Sequence, residues 1–325
     1  MLPLALDVMG GDNAPDVVIE GARRAKQELG VELIMVGLPE VVGPLAAEGF
    51  QVLATSEVVE MHDDPASSVR RKRDSSLVRC AELVRDHKAV GMISAGNTGA
   101  AMASALLKFG RLPRVARPAI ATTIPVPGST PTVVLDSGAN SDVIASWLVQ
   151  FAEMGSVYSN EVFGVESPRV GILSIGEEKG KGNELVKEAY PLLEQCDRIN
   201  FIGNVEGRDV MSDRIDVVVC DGYTGNIVLK TLEGSMRALA KAIFDHLGAG
   251  EDGQAVVDVA LPKLLPLMEE LDPDSYGGAM LLGVDGICII SHGSSSPKAI
   301  FNAIATSMRL ADHGILGKLT SAVGS

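Results

Sequence analysis

Val90-Gly91-Met92-Ile93-Ser94-Ala95-Gly96-Asn97-Thr98-Gly99 is the stretch on which the fold turns. Val90 to Ser94 is apolar without polar alternation and too short for a helix, so it reads as a strand covered on both faces. Ala95 to Gly99 is a tight turn, and the alanine-rich run after it has helical character. Strand, glycine turn and helix form the repeating unit of a parallel sheet.

The unit recurs along the chain in both directions. Leu4 to Val8 leads into Met9-Gly10-Gly11-Asp12-Asn13-Ala14-Pro15, with a helix expected through Lys26, and Val31 to Val36 ends at Gly37. Thr132 to Asp136 enters Ser137-Gly138-Ala139-Asn140, and Val170 to Ser174 enters a loop running to Asn183. Asp216 to Cys220 enters Asp221-Gly222-Tyr223-Thr224-Gly225-Asn226, and Gly286 to Ile290 enters Ser291-His292-Gly293-Ser294. Two units share Gly-x-Thr-Gly before their helix. The spacing is irregular, which excludes a solenoid. The predicted fold is a doubly wound α/β/α sandwich with a mainly parallel sheet, one domain spanning residues 1–325.

In such a sheet the loops gather where the strands end, and helix N-termini there offer unpaired N–H groups to anions. A tight turn alone accounts for any single glycine loop, and a helix cap alone accounts for Thr98 or Thr224. Five such loops on one edge point to a phosphate-bearing ligand.

Several classes are excluded. Gly176 to Gly182 is one residue short of a P-loop and has glycine where Ser/Thr belongs. No Gly-x-Gly-x-x-Gly follows the first strand, and no Gly-x-Ser-x-Gly stands out. The four cysteines are far apart in sequence and the five histidines lack ligand spacing, so neither a disulfide framework nor a metal site is expected. The opening apolar run reaches Asp7 too soon for a signal peptide, and no run approaches the length of a membrane span.

A formal charge of −14 argues against nucleic acid as a partner. Against that background Arg70 to Arg117 holds eleven Lys/Arg and three Asp/Glu. Its core, Arg70-Arg71-Lys72-Arg73, reads as a solvated helix face or as the docking site of an acidic partner. Residues 246–280 differ again: Val256 to Leu271 is strongly apolar but holds Pro262 and Pro266, so two short helices or one bent helix are expected. This insertion suits packing on the core or across a homodimer, an acyl-chain groove, or contact with a membrane surface.

Taken together, the motifs resemble the PlsX-type phosphate acyltransferases, the bacterial acyl carrier protein:phosphate acyltransferases. The matching stretches are Ala5 to Pro15, Glu60 to Pro65, Val69 to Ser76, Ser94 to Ala100 and Lys181 to Leu185, followed by Ile202 to Glu206, Val219 to Asn226, Tyr276 to Ala279 and His292 to Ser295. They keep the family's order over nearly the whole chain. The resemblance implies a homodimeric fold akin to phosphotransacetylases and isopropylmalate-type dehydrogenases. It implies transfer of a long-chain acyl group from acyl carrier protein to inorganic phosphate, with no metal or organic cofactor. It also implies a cytoplasmic, peripherally membrane-associated enzyme whose product passes to a glycerol-3-phosphate acyltransferase.

For that chemistry the residues divide as follows. Backbone N–H groups of Gly10, Gly11, Gly96 and Gly225, with the Thr98 and Thr224 side chains, are expected to cradle phosphate. Lys181 would balance the charge of phosphate or of the departing thiolate. Asn226 and Asn97 are neutral donors suited to an oxyanion; the resemblance implicates the positions of Lys181 and Asn226 in catalysis. His292 either shuttles a proton or is a strand-end histidine bonded to backbone. Asp12 and Asp221 would repel phosphate directly, so their expected role is to orient loops or Lys181. Arg70, Arg71 and Arg73 are the expected contact for an acidic carrier protein. The alternatives are a short-chain phosphotransacetylase using acyl-coenzyme A, a non-catalytic acyl- or phosphate-binding regulator and, more distantly, an oxidoreductase.

Overall fold

The computed structural model describes residues 2–250 and 252–323. In chain order the strands are β1 (Leu4–Asp7), β2 (Leu33–Gly37), β3 (Gln51–Ala54), β4 (Gly91–Ser94), β5 (Ala119–Ile124), β6 (Thr132–Leu135), β7 (Arg169–Leu173), β8 (Asn200–Val205), β9 (Val217–Val219), β10 (Ala279–Leu282) and β11 (Ile287–Ile290). The helices are α1 (Asp16–Leu29), α2 (Pro39–Val42), α3 (Pro65–Arg71), α4 (Ser76–Arg85), α5 (Thr98–Lys108), α6 (Ala145–Phe163), α7 (Glu184–Glu194), α8 (Gly222–Leu247), α9 (Gly253–Glu270), α10 (Pro297–Asp312) and α11 (Ile315–Ala322). The strands form one eleven-stranded sheet in the order β3-β2-β1-β4-β11-β10-β5-β6-β9-β7-β8.

The lack of alternation in the strands has a direct cause. In β1, Leu4 and Leu6 point into a core shared with α1 and α10, while Ala5 points into a second core under α4 and α5. Both faces of the strand are buried, as expected of an interior parallel strand.

The sheet is not parallel throughout. β3, β2, β1, β4 and β11 run together. β10 reverses against β11, β5 reverses against β10, and β6 reverses against β5. Hence β6, β9, β7 and β8, parallel among themselves, run opposite to the first set. β5 is the joint: Ala119–Ala121 pair with β10, and Thr122–Ile124 pair with β6. This register puts Ile290, Ala279, Thr122 and Val134 on one row across the sheet. β11 ends on that row from one side, and β6 ends one residue past it from the other. The carboxyl ends of two opposed half-sheets therefore meet at β5. The expectation of five loops on one edge is corrected, because the two strands that reverse the sheet, β5 and β10, were not among those read from the sequence.

The apolar segment is also redrawn. Only the first part of α8 packs down, with Val228, Leu229 and Leu232 against β6 and β9. The rest of α8 pairs with α9 as a projecting hairpin, in whose connection Glu251 lies outside the described residues. α9 is one helix despite Pro262 and Pro266, and Gly253 is its one buried residue, so it does not pack onto the core. Its base is pinned where Glu270 accepts the Gly128 N–H at 2.6 Å and Lys298 pairs with Asp272 at 3.1 Å.

Candidate active site

The loops of the first half-sheet interlock through their glycines. A Cβ on Gly10 would lie 2.7 Å from the Gly96 nitrogen and 2.8 Å from an Asp7 carboxylate oxygen. Only glycine permits that approach between the β1 and β4 loops. Gly11, at φ +117°, sits against the Gly293 carbonyl of the β11 loop, which also accepts the Asp12 N–H at 2.8 Å. Asp12 thus serves to join two loops through its backbone.

Beneath these loops Asp7 is buried. It accepts the Ser94 hydroxyl at 2.7 Å and the Met9 N–H at 3.3 Å, while Ser94 accepts the Gly96 N–H at 3.1 Å. Burial raises the Asp7 pKa, and the bonds from Ser76, Ser94 and Met9 offset part of that rise.

The second half-sheet repeats the device with Asp136. Its carboxylate accepts the N–H groups of Ile120, Gly138, Ala139 and Asn140 and the Asn140 side-chain amide. Burial again raises the pKa, against the pull of these bonds. The Asp221-Asn226 turn packs on this loop: a Cβ on Gly225 would overlap the Asp136 carbonyl oxygen. Asp221 caps α8, taking the Thr224 N–H and hydroxyl at 2.8 Å each. Asn226, exposed on the first turn of α8, lies beside Gly138. Lys181 is exposed in a loop that folds back through its N–H to Glu178 O and is braced where Asn204 donates to the same carbonyl at 2.9 Å.

Several sequence assignments change on this geometry. Asn97 is buried, and both ends of its amide are committed. Its oxygen caps α5 through the Ala100 N–H, and its nitrogen donates to the Met61 and Asp63 carbonyls, each at 3.0 Å. It holds the 60–64 loop and has no donor left for an oxyanion. The proposed cradle also divides. The Gly96 N–H is spent on Ser94, the Gly225 N–H on the Asp221 carbonyl and the Thr224 hydroxyl on the Asp221 carboxylate. Gly10, Gly11 and an exposed Thr98 remain on one wall, with Asn226 and Lys181 on the other.

His292 joins the walls. Its Nε2 lies 3.2 Å from Lys230 Nζ on α8, and its Nδ1 lies 2.8 Å from the Ser294 hydroxyl. An ammonium only donates, so Nε2 faces Lys230 as an acceptor, while Nδ1 lies within reach of both the Ser294 hydroxyl and the Ser294 N–H at 3.3 Å. Lys230, also bonded to Glu233 at 2.9 Å, was missed in the sequence. Its only available signal was the one-turn spacing from Asn226, which places both on one face of α8.

The basic segment is neutralised only in part. Lys72 turns inward to Asp63 at 2.6 Å, holding that carboxyl below its usual range, and Arg79 and Lys108 meet Glu82. Arg70, Arg71 and Arg73 are exposed and make no salt bridge among the described residues, though Arg71 lies close enough to assist the Ser67 hydrogen bonds in holding the Asp64 carboxyl below its usual range. They adjoin the 60–64 loop, whose Met61 overlies Gly293.

Residues 2–318 match the family described as "Fatty acid synthesis protein". A phosphate acyltransferase from Thermosynechococcus vestitus is 45% identical over 319 residues, covering 96% of this chain and 92% of that one. One from a Cyanothece species is 42% identical over 323 residues, covering 97% and 94%. In fold the chain is similar to a phosphotransacetylase from Streptococcus pyogenes, with a TM-score of 0.63 at 17% identity, covering 96% of this chain and 94% of that one. A match of this extent, at this identity, shows that the chain belongs to the PlsX-type phosphate acyltransferase family.

Proposed function

We propose that the protein transfers a long-chain fatty acyl group from acyl carrier protein to inorganic phosphate, releasing the carrier thiol and an acyl phosphate. The observation that carries this reading is the meeting of two opposed half-sheets, with a glycine wall on one side and Lys181 and Asn226 on the other. A phosphate oxygen attacks the thioester carbonyl, a C–O bond forms, and the tetrahedral intermediate collapses with loss of the thiolate, which takes up a proton. Phosphate is already nucleophilic near neutral pH, so placement supplies most of the acceleration. Gly10, Gly11 and the Thr98 hydroxyl face the phosphate, Lys181 balances its charge and that of the thiolate, and Asn226 donates to the oxyanion. His292, held by Lys230, closes the site from the first half-sheet.

Arg70, Arg71 and Arg73 give the acidic carrier a docking face at the rim of the same wall. Reversing all three charges raises KM for the carrier substrate roughly tenfold at low salt; an unchanged KM removes the docking face. The α8–α9 hairpin serves the homodimer and the membrane surface, since Leu239, Val259 and Leu265 are more than half exposed, at 63%, 66% and 51%. Acyl phosphate made there passes to the glycerol-3-phosphate acyltransferase. No helix among the described residues is long and apolar enough to cross a membrane.

The deciding assay traps acyl phosphate with hydroxylamine, comparing long-chain acyl carrier protein with long-chain and acetyl-coenzyme A. Phosphate-dependent product from the carrier substrate supports the proposal. Product from acetyl-coenzyme A alone makes the enzyme a short-chain phosphotransacetylase, and no product from any donor makes the chain a binding protein.

A further inference from the structure

A cavity of about 200 Å³ opens at the carboxyl ends of β7 and β9, between the Lys181 loop and the first turn of α8. Leu148, Ile172, Leu185 and Val186 give it an apolar side, and Ser174, Asn183, Asp221 and Thr224 are the polar part of its lining. Gly182 and Thr224 also line it, so the residue after Lys181 and the turn that carries Asn226 share one space. Gly182 holds this wall open: at φ +104°, a Cβ there would lie 2.6 Å from Val186 Cγ1 and 3.0 Å from the Ser174 hydroxyl. The Ser174 hydroxyl is buried in the lining without a hydrogen-bond partner. Other buried hydroxyls, such as Ser104 and Ser159, are also unpaired, but Ser174 is the one in this lining, where its donor is available to a ligand's acceptor.

We propose that this cavity is the acyl subsite: it takes the carbonyl-proximal methylenes of a fatty acyl group, with the Ser174 hydroxyl directed at the carbonyl oxygen. The proposal rests on the acyl-transfer reading above and adds where the chain lies. The Asp221 carboxylate in the lining disfavours a free phosphate, and the aliphatic side chains favour hydrocarbon over a sugar. A cavity of about 150 Å³ holds a six-carbon ring, so about 200 Å³ has room for the first part of an acyl chain and not for the whole of a long one. The remainder of a longer chain leaves over Ile175, which stands 82% exposed at the rim.

The test compares hexadecanoyl and butyryl groups on the same carrier protein. Leu185→Phe fills the interior, and kcat/KM for hexadecanoyl should fall tenfold or more while butyryl changes less than twofold. Ile175→Asp lies at the exposed rim, where folding is not at risk, and should lower hexadecanoyl turnover selectively even if Leu185→Phe does not fold. Ser174→Ala should lower kcat for both donors alike, since both carry the carbonyl. Equal losses on the two chain lengths in both the Leu185 and Ile175 variants, or no loss in either, overturn the subsite. An unchanged kcat in Ser174→Ala overturns its carbonyl contact. Failure of the unaltered enzyme to use either donor defeats the acyl-transfer reading itself, and the subsite with it.

Discussion

The two half-sheets solve the same problem with different means. Each ends in a buried aspartate that organises its loops: Asp7 at the end of β1 and Asp136 just past the end of β6. Asp136 draws four backbone N–H groups and an amide, nearly all from its own loop and the neighbouring β5, so that loop is a self-contained platform. Asp7 receives one nearby backbone N–H and reaches across to Ser94, so it ties two separate strands together. The consequence shows in what each wall presents. The first half offers close-packed glycine backbone, while the second offers exposed side chains, Lys181 and Asn226, on a braced base. A rigid backbone wall suits a small symmetric anion, and projecting donors suit charge that moves during the reaction.

The sharpest break of this comparison is removal of the projecting groups. Lys181→Ala or Asn226→Ala should each cost about 10²–10³-fold in kcat, the scale of losing one preorganised donor, while thermal stability stays within error because both side chains are exposed. A loss of activity matched by a loss of stability would mean that these residues hold the wall rather than work from it. Next in size, Asp136→Ala leaves several N–H groups without an acceptor and should destabilise by about 3 kcal/mol or more in denaturant unfolding. A cost under about 1 kcal/mol would show that water replaces the carboxylate and that the platform is not self-contained.

Asn97 and Asn226 separate the two walls on a smaller scale. Both follow a strand and sit near a Gly-x-Thr-Gly turn, and in sequence they look equivalent. Asn97 is buried and caps α5, so Asn97→Ala should cost about 1–2 kcal/mol of stability. The rate of the surviving folded fraction should change far less than in Asn226→Ala. Active-site titration beside a thermal melt distinguishes these outcomes, and a large rate loss at full stability in Asn97→Ala would return it to the chemistry.

This pair also shows where the sequence is legible. The seven strands read from apolar runs lie within one or two residues of their observed bounds, because burial on both faces leaves an unbroken hydrophobic signature. Four strands escaped: the edge strands β3 and β8, which are partly exposed and lack the unbroken apolar signature, and β5 and β10, which are short and set among prolines and glycines and whose reversal is a property of pairing that no local pattern carries. The residue types at the site were visible, but which donors remain unspent was not. Whether an N–H is free depends on a neighbour such as Ser94 or Asp221 folding back onto it. Lys230 was invisible for the same reason, since its meaning comes from a histidine 62 residues away.

The smallest effect tests the weaker brace. Burial raises the Asp7 pKa above the ordinary carboxylate value, so the folded state binds a proton more readily than the unfolded chain. The charged form therefore costs stability at neutral pH. That cost shrinks as pH falls through the raised folded value and is gone below the unfolded value near 4. Asp7→Asn keeps the shape and removes the charge. Its stability relative to the unaltered protein should thus be most favourable near pH 7 and decline toward pH 4. The corresponding Asp136 carboxylate is raised in the same direction, but its amide donors would be left facing an NH₂ group, so Asp136→Asn should lose stability at every pH. Opposite signs near neutral pH for the two isosteric changes would establish that one aspartate is a charge held at a cost to join two strands and the other an acceptor its loop requires. Equal signs would reduce the two braces to one kind.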